Sequence, residues 1–222
     1  GGGERVAQRA VDAAERALAA AARTLDGARG EAAPRFSQAV SAQMQRLEMG
    51  TAQLVCEQRA LPRASWTRSG ASEVEFMFQP GAGMQARPLA RIASGGEVSR
   101  VMLAIKVVLG QADSVDTLVF DEVDAGVGGS VAVALAEVLA DLARSHQVIV
   151  VTHLAQVAVH GDVHYAVTKI AGDDGMPQTC LRQLSADERP AEIARMLSGD
   201  ATEASLAHAR EMLGAVKDAQ GE

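Results

Sequence analysis

Aromatic residues make up only 3% of this 222-residue chain, so Ala, Val and Leu must fill its interior. Cysteine is scarcer still. Cys56 and Cys180 lie far apart and follow no metal-ligand spacing, which excludes a cysteine zinc framework and a disulfide scaffold and fits free thiols in a reducing cytoplasm. Lysine occurs only at Lys106, Lys169 and Lys217; every other basic side chain is arginine, a skew we attribute to genome composition. No apolar run reaches membrane-spanning length, and the start carries no signal-peptide pattern. A net charge of −7 argues against the whole chain being a basic nucleic-acid coat. Hydrophobic residues at 48% and a mean hydropathy near zero describe a soluble globular chain, long enough for one substantial core or two small ones.

Against that background one stretch stands out. Ser94-Gly95-Gly96-Glu97 precedes an apolar helical run, so a small hydroxyl and two glycines sit where a helix presents unpaired N–H groups and its positive dipole end. Glycines there let a ligand come close to the backbone. Farther on, Leu118-Val119-Phe120 is an apolar run that ends in Asp121-Glu122 and reads as a buried strand tipped with acid. A phosphate-facing helix end followed by an acid-tipped strand suggests a nucleoside triphosphate and Mg²⁺. On an extended backbone Asp121 and Glu122 point in opposite directions. Asp121 is thus placed for the metal and Glu122 for polarising a water.

The flanking pattern alternates strands and helices. Glu4 to Asp26 reads as an Ala-rich helix, Gly27 to Pro34 as a break, and Phe36, Val40, Met44 and Leu47 as one face of a second helix. Leu54 to Ala60 and Glu73 to Gln79 read as strands separated by a Ser69-Gly70 turn. Arg59, Arg63, Arg68, Arg87 and Arg91 form a solvated loop face in preference to a phosphate or DNA contact. The helix after Glu97 is apolar nearly all round and is expected to be deeply buried. A helix from Val131 to Leu142 and a strand from Gln147 to Val151 complete a βαβ rhythm, ending at Thr152-His153. A short helix, two strands around a Gly172–Gly175 turn, and two closing helices follow. His160 and His164 mimic a helical metal pair, but Gly161-Asp162 breaks the helix, so no zinc site is expected.

Ser94 to Glu97 resembles the signature motif of ATP-binding-cassette ATPases. Leu118 to Glu122 resembles their Walker B strand with its catalytic Glu, Val123-Asp124-Ala125-Gly126 their D-loop, and Val151-Thr152-His153 their switch histidine. None of the three lysines, which follow Ile, Thr and Val, can belong to a Gly-x-x-x-x-Gly-Lys-Ser/Thr loop, so the Walker A cradle is missing. That split resembles the SMC-like group, whose heads are divided by a long coiled coil. Ile92 to Lys106, Phe120 to Gly129, and the tail Glu192–Gly199 with His208–Glu211 resemble a bacterial double-strand-break repair family within it. One departure is Leu154-Ala155-Gln156, where that family's pattern is Leu-Pro-Gln.

The resemblance implies an α/β fold: the C-terminal lobe of an ABC/SMC-type ATPase head, a mostly parallel sheet flanked by helices, preceded by helices from the base of a coiled-coil arm. It divides the chain into a linker (1–3), a helical segment (4–52) and the lobe (53–222). It implies ATP and Mg²⁺, with Asp121 on the metal and Glu122 and His153 catalytic. Ser94, Gly95, Gly96 and Glu97 would act in trans on ATP held by the opposite head, with Asp124 at the dimer interface. The implied partners are the N-terminal, Walker A half of the head, a second head in an ATP-dependent homodimer, and DNA, with no membrane. The chain alone is expected to be inactive. Two other readings stay open: a transporter nucleotide-binding domain, and a Mg²⁺ nuclease using Asp121, Glu122 and Asp124.

Overall fold

In a computed structural model the described residues are 2–92, 94–112, 114–171 and 176–220. The chain forms two compact units, one of Gly1–Gln45 with Met49–Ala93 and the other of Arg46–Glu48 with Ser94–Glu222. The division expected from the sequence has its boundary at residue 53; compactness divides the chain at Ser94, with Arg46–Glu48 joining the second unit.

The first unit is built on a single helix, α1 (Gly2–Arg46), with Pro34 inside it. The break expected over Gly27 to Pro34 does not occur. Tertiary bonds hold the helix where its local propensity is poorest. Asp26 Oδ1 accepts from Ser72 Oγ at 2.6 Å, and the Arg29 guanidinium donates to the carbonyls of Ser69 and Ser72. Past Pro34, the hydroxyls of Ser37 and Ser41 accept the backbone N–H groups of Cys56 and Leu54. Strands β1 (Gln53–Ala60) and β2 (Ser72–Gln79) pair antiparallel from Gln53↔Gln79 to Ala60↔Ser72, and β3 (Arg87–Pro88) adds to β2. Phe78 is buried, whereas Val74 and Phe76 are more exposed than their alternation suggests; Phe36 packs on Phe76 with ring centroids 5.8 Å apart. Arg59 pairs with Glu73, and Arg63 pairs with Glu15 and lies over the Trp66 ring.

The second unit carries α2 (Gly95–Leu109), β4 (Thr117–Phe120), α3 (Ser130–Ala143), β5 (Gln147–Val150) and α4 (Ala155–Ala158). Strands β4 and β5 are parallel, with Leu118 opposite Val148 and Phe120 opposite Val150. Helix α3, the crossover between them, buries Leu135, Val138, Leu139 and Leu142. Strands β6 (Tyr165–Ala171) and β7 (Pro177–Gln183) form an antiparallel hairpin, and the expected Gly172–Gly175 turn lies outside the described residues. Helices α5 (Arg189–Ser198) and α6 (Glu203–Gln220) close the unit. Ile193, Ala194 and Ala209 pack with Ala155 and Val159.

Two burial expectations fail in the same way. Helix α2 buries Val101, Leu103, Ala104 and Ile105 but leaves Met102 exposed. Strands β4 and β5 bury Leu118 and Phe120, while Val119 is 66% and Ile149 47% exposed. Those two residues face each other across the register, and Val151 extends the same apolar surface. Parallel strands are ordinarily covered on both faces; among the described residues, this face has no covering layer.

Candidate functional site

Parallel pairing brings the carboxyl ends of β4 and β5 to one edge, the edge at which open α/β sheets place ligands. Asp121 and Glu122 follow β4 there, and Thr152-His153 follow β5. Helix α2 is fixed to the same edge by two side chains to which the sequence reading gave no role. Ser99 Oγ donates to the carbonyl of Asp121 at 3.1 Å. Arg100 Nη1 donates to the carbonyls of Val123 at 3.3 Å and Ala125 at 3.1 Å. Burial lowers the Arg100 guanidinium pKa from its ordinary value, against an opposing pull from Glu97. Both residues lie inside the quoted motif, but nothing local marks them as backbone clamps.

Ser94 is the N-cap of α2, and its hydroxyl oxygen accepts the Glu97 N–H at 3.4 Å. Ser94 and Glu97 thus have capping-box spacing, and the serine hydroxyl hydrogen stays available to another acceptor. The two glycines differ in purpose. A Cβ on Gly95 would meet Glu122 Oε2 at 2.5 Å, so the signature turn and the acid pair of this chain are neighbours. A Cβ on Gly96 would meet Ala125 Cβ and O at 3.0 Å, so Gly96 is needed for backbone packing.

Asp121 and Glu122 are exposed. The extended backbone expected at Glu122 is not what forms: β4 ends at Phe120, and Glu122 has φ +57°. Its side chain is aimed by a left-handed turn. Such a conformation costs a non-glycine residue roughly 1–3 kcal/mol and concentrates at functional sites. Asp121 Oδ1 helps hold the turn by accepting the Glu122 N–H at 2.9 Å.

Asp124 points elsewhere. It is 3% exposed, and its Oδ2 accepts from Thr152 Oγ1 at 2.5 Å and from the His153 N–H at 3.1 Å. The same oxygen lies 3.2 Å from His153 Nδ1. The exposed members of its turn are Ala125 and Gly126. The His153 side chain is 71% exposed and reaches out from that anchor. Among the described residues no three His, Cys, Asp or Glu side chains converge on a possible metal position, so Asp121, Glu122 and Asp124 form no common cluster.

A helix start thus lies against an acid pair at the carboxyl edge of parallel strands, with a histidine after the adjoining strand. No protein-family model matches the chain. Curated relatives do. The DNA repair protein RecN of Mycobacterium leprae is 45% identical over 93% of this chain and 38% of its own length. The RecN of Streptomyces coelicolor is 44% identical over 91% and 37%, and that of Deinococcus radiodurans 46% over 91% and 35%. Among solved structures, an Smc head domain from Pyrococcus yayanosii aligns with 82% of this chain and 29% of its own, at 18% identity and a TM-score of 0.49. The chain belongs to the RecN family, and it spans little more than a third of the length of the relatives it matches.

Proposed function

We propose that this chain is the signature-bearing part of a RecN-type ATPase head, which hydrolyses ATP at an interface between two heads and acts in DNA double-strand-break repair. The observation that carries the reading is the meeting of the α2 N-terminus, Asp121-Glu122 and His153 at one sheet edge. Identity of about 45% to proteins named for DNA repair supports the pathway. The uncovered apolar face at Val119, Ile149 and Val151 favours a missing layer of chain, which the N-terminal, Walker A half of the head would supply.

The residues present fit Mg²⁺ as a partial ligand set. This ion characteristically takes one or two carboxylates and completes its shell with water and substrate phosphates, and Asp121 offers an exposed carboxylate at the strand end. When bound there, Mg²⁺ would supply charge neutralisation to the phosphates. Glu122 orients and polarises the attacking water, His153 holds a hydrogen bond beside it, and Asp121 keeps the turn in place. Ser94, Gly95, Gly96 and Glu97 present the α2 start to the γ-phosphate of ATP on the opposite head. The turn at Asp124 borders the interface, with Ala125 and Gly126 outward. A cytoplasmic, nucleoid-associated location follows from the same reading; no described helix is long and apolar enough to cross a membrane. The inward-facing Asp124, whose Oδ2 accepts from the Thr152 hydroxyl and the His153 N–H, disfavours the nuclease.

The test is ATP turnover by the purified chain before and after adding the N-terminal half of the head. We expect none alone and turnover with both. Steady hydrolysis by the chain alone, free of contaminating ATPase, overturns the proposal.

A further inference from the structure

Helix α4 has only four residues and begins just past His153. A helix that short does not hold itself in water. Its support comes from the two closing helices. Ala155 and Val159 pack against Ile193 and Ala194 of α5 and Ala209 of α6, all of them buried. Arg189, the first residue of α5, reaches back to the other end of α4. Its Nη2 donates to the carbonyls of Gly161 at 2.7 Å, Ala158 at 3.3 Å and Val159 at 3.5 Å. Carbonyls at a helix end lack partners within the helix, and an arginine is well suited to satisfy them. The Arg189 Nε is buried without a partner among the described residues, so its hydrogen bonds all go to this one stretch of main chain. Burying part of a guanidinium without a bonded carboxylate is costly, so filling space is a poor account of the residue.

From that end the bonding runs without a gap to the main chain of His153. The Ala158 N–H donates to the Leu154 carbonyl at 3.0 Å, and the Leu154 N–H to Thr152 Oγ1 at 3.0 Å. The Thr152 hydroxyl and the His153 N–H then share Asp124 Oδ2. We propose that Arg189 is a positioning residue for His153: by tying down the carboxyl end of α4 it fixes the turn that holds the histidine at the sheet edge. It touches neither nucleotide nor reacting atoms. The closing helices thereby serve as the seat of the His153 loop. The inference rests on the reading of His153 as part of the ATP site.

Two measurements test it. In the 222-residue chain, the amides of Val159, His160 and Gly161 bond back into α4. Their hydrogen exchange should be about tenfold faster in Arg189→Ala, the scale of one lost charged hydrogen bond, with α3 unchanged. In the reconstituted head, Arg189→Ala should bind ATP as tightly as the wild type. Its single-turnover hydrolysis should fall by about 10–100-fold, the scale of an ångström's misplacement. Arg189→Lys, which keeps a charged donor for the same carbonyls, should recover part of that loss. Arg189→Ala combined with His153→Ala should be no slower than His153→Ala alone, because effects that pass through one residue do not add. Circular dichroism checks folding; if Arg189→Ala does not fold, Arg189→Gln takes its place throughout. Unchanged exchange in the folded variant, wild-type hydrolysis, or additive losses in the double variant overturns the proposal. Failure of the ATP-site reading shows differently, as wild-type hydrolysis by His153→Ala itself, and takes the proposal with it.

Discussion

Adding one methyl group at Gly96 tests the packing of the site most sharply. The new Cβ would lie 3.0 Å from both Ala125 Cβ and the Ala125 carbonyl oxygen and 3.3 Å from Arg100 Nη1. The first two belong to a turn that the Arg100 bonds to Val123 and Ala125 hold in place, so the neighbours have little room to yield. Overpacking of this kind costs about 1–3 kcal/mol. Replacing glycine by alanine in a helix returns at most about 1 kcal/mol, less near the N-terminus. Gly96→Ala should therefore destabilise the second unit by about 1–2 kcal/mol, or roughly 2–8 °C in Tm for a chain of this size. Gly95→Ala is the control. Its Cβ meets only the movable end of Glu122, so its stability should match or slightly exceed the wild type's. Thermal and urea unfolding followed by circular dichroism compare the two. If Gly96→Ala were as stable as Gly95→Ala, the close contact between the α2 start and the Ala125 turn would be wrong.

Two further outcomes follow. In the reconstituted head, Glu122→Gln should retain ATP binding and accumulate as an ATP-bound dimer, with hydrolysis down by on the order of 10²–10⁴; normal turnover in a steady-state assay would remove Glu122 from the catalytic role. Stability should also fall as pH drops below about 6.5, the ordinary histidine value. Burial lowers His160, opposed by Glu137, and lowers His164 together with Arg189, opposed by Glu192. With folded values below the unfolded one, the unfolded chain binds more protons in that window, so stability is full above it and lost on acidification. Urea titrations between pH 7.5 and 5.5 should show this slope flattened in His160→Gln with His164→Gln.

Where a residue pattern carried its own termini, the fold was legible. Ser94 before α2, Gly110 after it and Gly129 before α3 bracket their helices in the structure as their types suggest. The α1 continuation was not legible. Gly27, Gly30 and Pro34 are local breakers, and the Asp26, Arg29, Ser37 and Ser41 bonds that overrule them join residues distant in sequence. Within the site, the types and order of the named residues could be read, but their directions could not. The left-handed Glu122 and the inward turn of Asp124 depend on packing between the ends of β4 and β5. Ala155, at which the sequence departs from the expected Leu-Pro-Gln, begins α4 after an extended Leu154, a position that accommodates proline.

The central claim is that this chain supplies half of an ATP site shared between two heads. Mixed dimers test it most directly. Ser94→Arg would crowd the α2 start, and a second variant would lack the Walker A lysine of the N-terminal half. Alone, each should be inactive, and the Ser94→Arg head should still bind ATP through its own Walker A loop. Mixed, they leave one intact site per dimer, built from the Walker A of one head and the signature of the other. The account predicts partial recovery of hydrolysis, up to one working site per dimer. Loss of ATP binding by Ser94→Arg itself, with no recovery on mixing, would contradict it.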